Sequence, residues 1–392
     1  MDYKAAAGRL IDDHTDDIIL VSKRIHSEPE LGHQEVKASR LLVEELKKYG
    51  FEVKLGVAGM TTAFIAQKGS GTPKIGILAE YDCLPVIGHA CGHNLIAASA
   101  FGAAVGLAEI IEDLGATVII YGTPAEEGVV LNAGGKVVMI EDIKEADVSL
   151  MIHAGHAWGS HGASNARESF LVEFHGKSSH AGAAPEKGVN ALEGVILTFQ
   201  GINALRQHIN RDIRIHGIIK HGGDSPNTIP DYASAHLYVR APSMPMLEET
   251  YSKVKDIIKG AELATGAKSK VTQVANTYAN KIPNKVLSDL FRLNVGLEGV
   301  EYPEEMTPHK SGASTDFGNV SQEMPALSGY INIGDVTLHS PSGTEMTATD
   351  QAHEAMIIGA KALAYTAIDL ITDPGKLERA REEYSKRIKK QG

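Results

Sequence analysis

Two reactive side chains lie close together in the segment GHACGHNL, residues 88–95, where Cys91 precedes His93 by two positions. A lone cysteine is often a small apolar residue of the core. Thiolate and imidazole are also good ligands for zinc and similar divalent ions, and a cysteine with a neighbouring histidine can act as a nucleophile. The segment alone therefore leaves a core role, metal binding and nucleophilic catalysis open.

Adjacent carboxylates, Glu126 and Glu127, follow an apolar run in the segment GTPAEEG. Such a pair is common in a solvated loop. In an extended chain, however, neighbouring side chains point in opposite directions, so one carboxylate can bind a metal ion while the other faces water. Metal-assisted hydrolysis needs both a Lewis acid and a base that takes a proton from water. A cysteine nucleophile would not account for this acidic pair.

Two further histidines follow apolar runs that are typical of strands. His153 comes directly after the run VSLMI, and His339 lies in a loop flanked by proline and glycine. The chain has 17 histidines, and a single histidine is more often structural than a metal ligand. Their spacing alone therefore does not identify these two as ligands.

Strand and helix patterns alternate over the first third of the chain and predict a largely parallel sheet with helices on both faces. In such sheets ligands bind beyond the carboxyl ends of the strands. Asp82, Glu126, Glu127 and His153 all follow predicted strands and should lie at this edge. The sequence therefore predicts an α/β catalytic domain with its polar residues gathered along one side of the sheet.

The middle of the chain has the order β-α-β-β-α-β over residues 167–278, which is typical of a ferredoxin-like unit. We expect this unit to be inserted into a catalytic domain formed by residues 1–166 and 279–392. The apolar run at residues 95–111 is broken by serine, glycine and glutamate, which favours a buried helix over a membrane span. One long helix with a charged, solvated end is predicted at the C-terminus.

Charge and composition narrow the class of protein. The formal net charge of -11 argues against nucleic acid or an anionic membrane as a partner. The first residues lack the pattern of a signal peptide, and the chain has two cysteines, Cys83 and Cys91, so we expect a cytoplasmic protein without a disulfide. The glycine-rich segments lack the spacing that binds nucleotide phosphates.

Five segments occur in the order found in one enzyme family: HACGHN, GTPAEEG, GKSSHAGAAPEKGVNAL, GGDSPNTIPDYASAHLYVR and STDFGNV. The chain resembles the co-catalytic zinc amidohydrolases, which include aminoacylase, carboxypeptidase G2, hippurate hydrolase and the hydrolases of auxin conjugates. The resemblance extends over nearly the whole chain. It implies that metal-activated water hydrolyses an amide bond.

The resemblance also implies roles for individual residues. Two divalent metal ions would share a set of ligands in which one member bridges them: Cys91, His93, Glu127, His153 and His339. Glu126 would be the general base, and Asp82 would fix the orientation of a ligand. A thiolate favours zinc, with manganese, nickel or cobalt as alternatives.

In the insert, His180 resembles a histidine that reaches the active site of a partner subunit and stabilises the oxyanion, which implies a homodimer. Asn227 and Arg240 resemble residues that hold the carboxylate or amide end of the substrate.

The Cys-x-His form resembles the branch of the family that holds hippurate hydrolase, the auxin-conjugate hydrolases and the aminobenzoyl-glutamate hydrolases. The chain departs from the usual pattern of this branch at two positions. Asn94 follows Cys-Gly-His where an aspartate is usual, and Glu80 takes the first acidic place in AEYDCLP. Both departures resemble a subgroup with dipeptidases acting on β-alanyl and basic dipeptides, and with aminobenzoyl-glutamate hydrolase. Our leading hypothesis is a dinuclear metal amidohydrolase acting on a small N-acyl amino acid or dipeptide. The alternatives are a hydrolase with Cys91 as nucleophile and a non-catalytic binding protein.

Overall fold

The protein is described here by a computed structural model, which covers residues 1–305, 309–310 and 312–389. The strands are, in chain order, β1 Glu52–Leu55, β2 Phe64–Gly69, β3 Lys74–Ala79, β4 Thr117–Gly122, β5 Val148–Gly155, β6 Gly162–Ala163, β7 Ala166–His175, β8 Arg214–His221, β9 Tyr232–Ala241, β10 Lys268–Tyr278, β11 His309–Lys310 and β12 Ala326–Asn332. The helices are α1 Tyr3–Asp13, α2 Thr15–Ser27, α3 Val36–Lys48, α4 His93–Ala108, α5 Gly135–Val138, α6 Ile140–Ile143, α7 Ala191–Leu205, α8 Met244–Thr265, α9 Lys285–Gly296, α10 Phe317–Glu323, α11 Pro341–Met346, α12 Asp350–Thr372 and α13 Pro374–Ile388.

The chain divides into two units, Met1–Ser164 with Lys281–Gly392, and Asn165–Asn280. The first unit contains a six-stranded sheet in the order β1-β2-β4-β3-β5-β12. Strands β4, β3, β5 and β12 run parallel to one another, while β1 and β2 are antiparallel additions at one edge. Helices cover both faces, with α4 and α12 in the larger core and α6 and α10 in the smaller one. The predicted α/β fold with a mostly parallel sheet is confirmed.

Helix α4 lies at the centre of the larger core, and all of its residues are buried. Its small side chains permit close packing: a Cβ atom at Gly102 would lie 2.9 Å from the Cβ of Ala360 in α12. Among the described residues, α12 is the one helix long and apolar enough to span a membrane by length and composition. Because 89% of its most apolar window is buried inside the protein, we assign α12 to the core.

The second unit is a four-stranded antiparallel sheet in the order β10-β7-β9-β8, with α7 and α8 packed on one face. Its element order is β-α-β-β-α-β, as the ferredoxin-like prediction requires. The predicted insert, residues 167–278, lies within this unit. Strand β8 is at the edge of the sheet and exposes two large apolar side chains, Ile218 and Ile219.

The C-terminal segment forms two helices and not the predicted single long helix, although its charged end is helical and solvent-accessible, as expected. Helix α12 ends at Thr372, and α13 begins at Pro374, whose ring nitrogen has no hydrogen to donate. The Asp373 side chain accepts a hydrogen bond from the backbone of Gly375 and so starts the new helix. Leu377 and Ala380 of α13 are buried, which ties this charged segment to the core.

Candidate metal centre

Cys91 and His93 lie at the start of α4, on either side of Gly92. Gly92 has a φ of +87°, and a Cβ atom there would lie 2.7 Å from the Cβ of Ala154. Glycine is the residue that adopts this left-handed conformation without steric cost. The turn it makes places both the thiol and the imidazole at the carboxyl edge of the sheet.

The His93 ring is held by Asp82. Nδ1 of His93 lies 2.9 Å from Asp82 Oδ1 and 2.9 Å from its carbonyl oxygen. Two acceptors at Nδ1 place a proton on that nitrogen and leave Nε2 for another partner. Burial lowers the pKa of His93, but the charge of Asp82 and its hydrogen bond to the ring raise the pKa well above its usual value.

The five predicted ligands lie together in the first unit. The Cys91 Sγ atom is 3.6 Å from His153 Nε2 and 3.3 Å from His339 Nε2. Glu127 Oε1 lies 3.8 Å from His93 Nε2, and Glu127 Oε2 lies 3.6 Å from His339 Nε2. The donor atoms form two groups that share one sulfur: Cys91, His93 and His153, and Cys91, Glu127 and His339, with all atoms of a group within 4.8 Å of one another.

These donors fit divalent metal ions. Among the described residues, His93 Nε2 and Glu127 Oε1 are buried atoms with no hydrogen-bond partner, and they lie 3.8 Å apart. Burial raises the pKa of the Cys91 thiol well above its usual range, and the nearby Glu127 charge adds to the effect. A bound cation is what would stabilise the thiolate and satisfy these atoms. Sulfur, imidazole and carboxylate donors together suit zinc and its neighbours.

The other two histidines approach the same sulfur from β5 and from the loop before α11. Nδ1 of His153 lies 2.7 Å from the carbonyl oxygen of Ala154, so it donates there and directs Nε2 toward Cys91. Burial lowers the pKa of His153 to about 4, which keeps the ring neutral. His339 has a φ of +61°, and its backbone N–H donates to the Ala90 carbonyl oxygen at 3.1 Å.

Glu126 and Glu127 face different groups. The pair lies in the loop after β4, where the preceding Ala125 has a left-handed φ of +57°. Both carboxylates lie 3.8 Å from His93 Nε2. Glu127 faces His339, whereas Glu126 lies with Glu80 and Asp316. Burial, followed by the charges of Glu80 and Asp316, raises the pKa of Glu126 well above its usual value.

A fully buried ion cluster borders Glu126. The Lys136 ammonium lies 2.6 Å from Glu80 and 2.5 Å from Asp316. Burial alone would raise the pKa of Glu80, but Lys136 and then His93 outweigh it and hold Glu80 as an anion. Sequence reasoning noted Glu80 as a departure and missed both Lys136 and Asp316. The segment STDFGNV, which contains Asp316, was the available signal.

Glu35 was also missed, and it supports the loop that carries the acidic pair. Its Oε1 accepts the backbone N–H of Ala125 at 2.9 Å, and its Oε2 accepts the hydroxyl of Thr62 at 2.8 Å. Asp82 Oδ2 accepts the backbone N–H of Glu127 at 3.0 Å. Two buried carboxylates therefore hold the backbone on both sides of Glu126. No local spacing connects Glu35 with a loop 90 residues away.

The predicted substrate residues lie in the second unit. His180 is exposed, and its Nδ1 accepts the backbone N–H groups of Gly182 and Ala183. The Asn227 carbonyl oxygen accepts the N–H of Ala181 at 2.8 Å, which joins the two segments. Arg240 lies near the end of β9, where it is half-buried and pairs with Arg167 of β7 in the sheet register. Their roles toward substrate stay predictions.

Comparison with known proteins agrees with this fold. Residues 167–265 match the family model described as "Peptidase dimerisation domain". The Xaa-Arg dipeptidase of Mus musculus is 36% identical, with 99% of this chain and 93% of that protein covered. The hippurate hydrolase of Campylobacter jejuni is 28% identical, with 82% and 90% covered. A Bacillus subtilis structure described as a dinuclear metal-binding peptidase from the M20 family has a TM-score of 0.67 at 18% identity, with 92% and 99% covered.

The sheet topology and the candidate metal centre, together with the named relatives, place the chain among the metal-dependent hydrolases. Within that class the chain belongs to the M20 peptidase family, because its similarity to a dipeptidase at 36% identity extends over nearly its whole length. It acts on amide or peptide bonds.

Proposed function

We propose that this chain is a dinuclear metal dipeptidase that cleaves small dipeptides with a basic C-terminal residue. The observation that carries the proposal is the pair of donor groups sharing Cys91, with Glu126 beside them. The specificity follows the mouse and human relatives, both named Xaa-Arg dipeptidase, at 36% and 35% identity. Cleavage of an N-acyl amino acid, aminobenzoyl-glutamate included, is the alternative.

The residues of the chain divide the work of hydrolysis. Cys91, His93, Glu127, His153 and His339 would hold two metal ions, which when bound polarise the scissile carbonyl and acidify water. Glu126 takes a proton from the attacking water as the new C–O bond forms. It then gives that proton to the leaving nitrogen as the C–N bond breaks.

We further propose that the metal is zinc, that the protein is a homodimer and that it is cytoplasmic. The thiol among the donors supports zinc over harder ions. The dimerisation-domain match and the exposed apolar edge of β8 support the dimer. The small number of cysteines, both free, supports a reducing compartment.

A hydrolysis screen with purified, zinc-reconstituted enzyme tests the function. The panel contains Ala-Arg, β-alanyl-Arg, aminobenzoyl-glutamate, hippurate and N-acetyl amino acids. We expect the highest kcat/KM for the dipeptides ending in arginine. If the N-acyl compounds are cleaved and the dipeptides are not, the specificity is wrong.

Glu126→Gln tests the assigned base. We expect kcat to fall about 10²- to 10⁴-fold, the usual contribution of a general base, while metal content stays unchanged. Glu127→Gln is the matched control, since it removes a donor atom and should lower metal content as well. Undiminished turnover by Glu126→Gln would refute the assignment.

A further inference from the structure

Lys281 is a buried cation in the first unit that the hydrolytic steps do not use. Its residue is 5% exposed, and its ammonium donates to the Tyr330 hydroxyl at 3.2 Å and lies 5.0 Å from that ring centre. Among the described residues, no carboxylate lies within 4.0 Å of this ammonium. Lys136, by contrast, is buried with two carboxylates in contact. A buried charge without a counter-ion is costly. We therefore expect an anionic group of a bound substrate to pair with Lys281.

The ammonium of Lys281 lies near the metal centre. The Tyr330 ring is 5.9 Å from the ring of His153, so Lys281 Nζ is within about 11 Å of that ring. Gly162 keeps the space beside both groups clear, because a Cβ atom there would lie 3.2 Å from the Tyr330 ring and 3.6 Å from Lys281 Nζ. The ammonium and the phenol therefore form one polar patch close to the metal-binding histidine.

The backbone around Lys281 is fixed by two hydroxyl groups. Its N–H donates to Ser164 Oγ at 3.1 Å, and the N–H of Ile282 donates to Ser321 Oγ at 2.9 Å. Ser164 and Ser321 are both buried. The backbone of Lys281 is thus fixed by the fold and its ammonium is held at the Tyr330 hydroxyl, an ordered arrangement that suits a recognition group.

We propose that Lys281 and Tyr330 bind the α-carboxylate of the amino acid that leaves during hydrolysis. In a dipeptide this carboxylate is one residue from the scissile carbonyl, about 4 Å away, which suits a cation near His153. An ammonium and a phenol both donate to a carboxylate, and such charged hydrogen bonds are strong. The inference rests on the proposed function and assigns the α-carboxylate to these two residues, which leaves the amide end of the substrate to Asn227 and Arg240.

The test compares Ala-Arg with its C-terminal carboxamide, using zinc-loaded enzyme. We expect Lys281→Met to lower kcat/KM for Ala-Arg about 10- to 100-fold, mainly through KM, because a hydrogen bond to a charged group is lost. Activity on the carboxamide, already low, should not change. Lys281→Arg should recover part of the loss. Lys285→Met is the matched control. Lys285 lies four residues after Lys281, and its ammonium already pairs with Asp289 and Glu304.

Calorimetry gives a second readout that does not depend on turnover. The metal-free enzyme is titrated with L-arginine and with L-argininamide. Tighter binding of arginine, abolished by Lys281→Met and kept by Lys285→Met, supports the inference even if no dipeptide is cleaved. Equal effects of Lys281→Met on acid and amide, or none on either, would overturn it. Absence of dipeptide hydrolysis in the unmodified enzyme would instead refute the proposed function.

Discussion

Four buried carboxyl groups surround the acidic pair, and their partners set what each can do. Glu80 and Asp316 share the ammonium of Lys136, and Asp82 holds the ring of His93. Glu35 differs, because its hydrogen-bond partners are a neutral backbone amide and a hydroxyl. Burial, and then the Asp82 charge, raise the pKa of Glu35 to about 7.

The raised pKa of Glu35 predicts a pH-dependent stability. Between its usual pKa of about 4.5 and about 7, the unfolded chain loses the proton that the folded chain keeps. The free energy of unfolding therefore falls by about 3 kcal/mol as the pH rises from 4.5 through 7, because the contribution of Glu35 is fully present below pH 4.5 and is lost above 7. Glu35→Gln removes this dependence. The Tm of the variant minus the Tm of the unmodified protein should therefore be larger at pH 8 than at pH 5.

Differential scanning calorimetry at both pH values checks this expectation. Glu44→Gln, at an exposed position, is the control. A Tm difference between Glu35→Gln and the unmodified protein that is the same at pH 5 and pH 8 would contradict the account.

Apart from the family resemblance, the sequence reveals residues of this site only where the chemistry has a local pattern. Cys91 and His93 are separated by one residue, and Glu126 and Glu127 are adjacent, so both pairs are visible. Lys136 and Asp316 are 180 positions apart, so although the segment STDFGNV points to Asp316, no spacing pairs it with Lys136. Only the folded chain brings them together.

At the scale of elements, the geometry of the centre depends on how α4 begins. Gly92 joins the two donor residues in a left-handed turn and packs against Ala154 of β5. A side chain at this position must displace either the turn or the strand that carries His153. The helix start and the donor geometry are therefore coupled.

Gly92→Ala should weaken metal binding. We expect the variant to retain less metal than the unmodified enzyme after dialysis against a weak chelator, as measured by atomic emission. Gly115→Ala is the matched control, since Gly115 also has a positive φ, of +62°, but its Cβ would meet nothing within 4 Å. The control should lose about 1 kcal/mol of stability and no metal. Equal metal retention in both variants would refute the coupling.

Most elements follow from hydrophobic periodicity, and the exceptions have physical causes. The strands of the parallel sheet and the insert have clear patterns bounded by polar or glycine residues. The left-handed backbone at Ala125 could not be predicted, because alanine disfavours that conformation and the support comes from the distant Glu35. The break before α13 was overlooked although Pro374 gives a direct signal.

At the scale of the whole molecule, the second unit carries an unpaired sheet edge. Strand β8 exposes its backbone edge together with Ile218, at 60%, and Ile219, at 47%. Exposed apolar edge strands are readily paired with another chain. The match to a dimerisation domain includes this strand.

We therefore expect Ile218→Glu to shift the protein from dimer to monomer. A charge placed on this edge opposes pairing of two copies. Sedimentation velocity across a range of protein concentrations measures the shift, with Leu263→Glu, an exposed residue of α8, as the control. The unmodified protein sedimenting as a monomer throughout, or Ile218→Glu remaining a dimer, would contradict the expectation.

The most direct test of the account is the metal content of the purified chain, measured together with its turnover. We predict two divalent ions per chain, loss of activity on chelation, recovery on adding zinc, and a lower metal content in Cys91→Ala. Full amide hydrolysis by enzyme stripped of metal would contradict the account and favour Cys91 as a nucleophile.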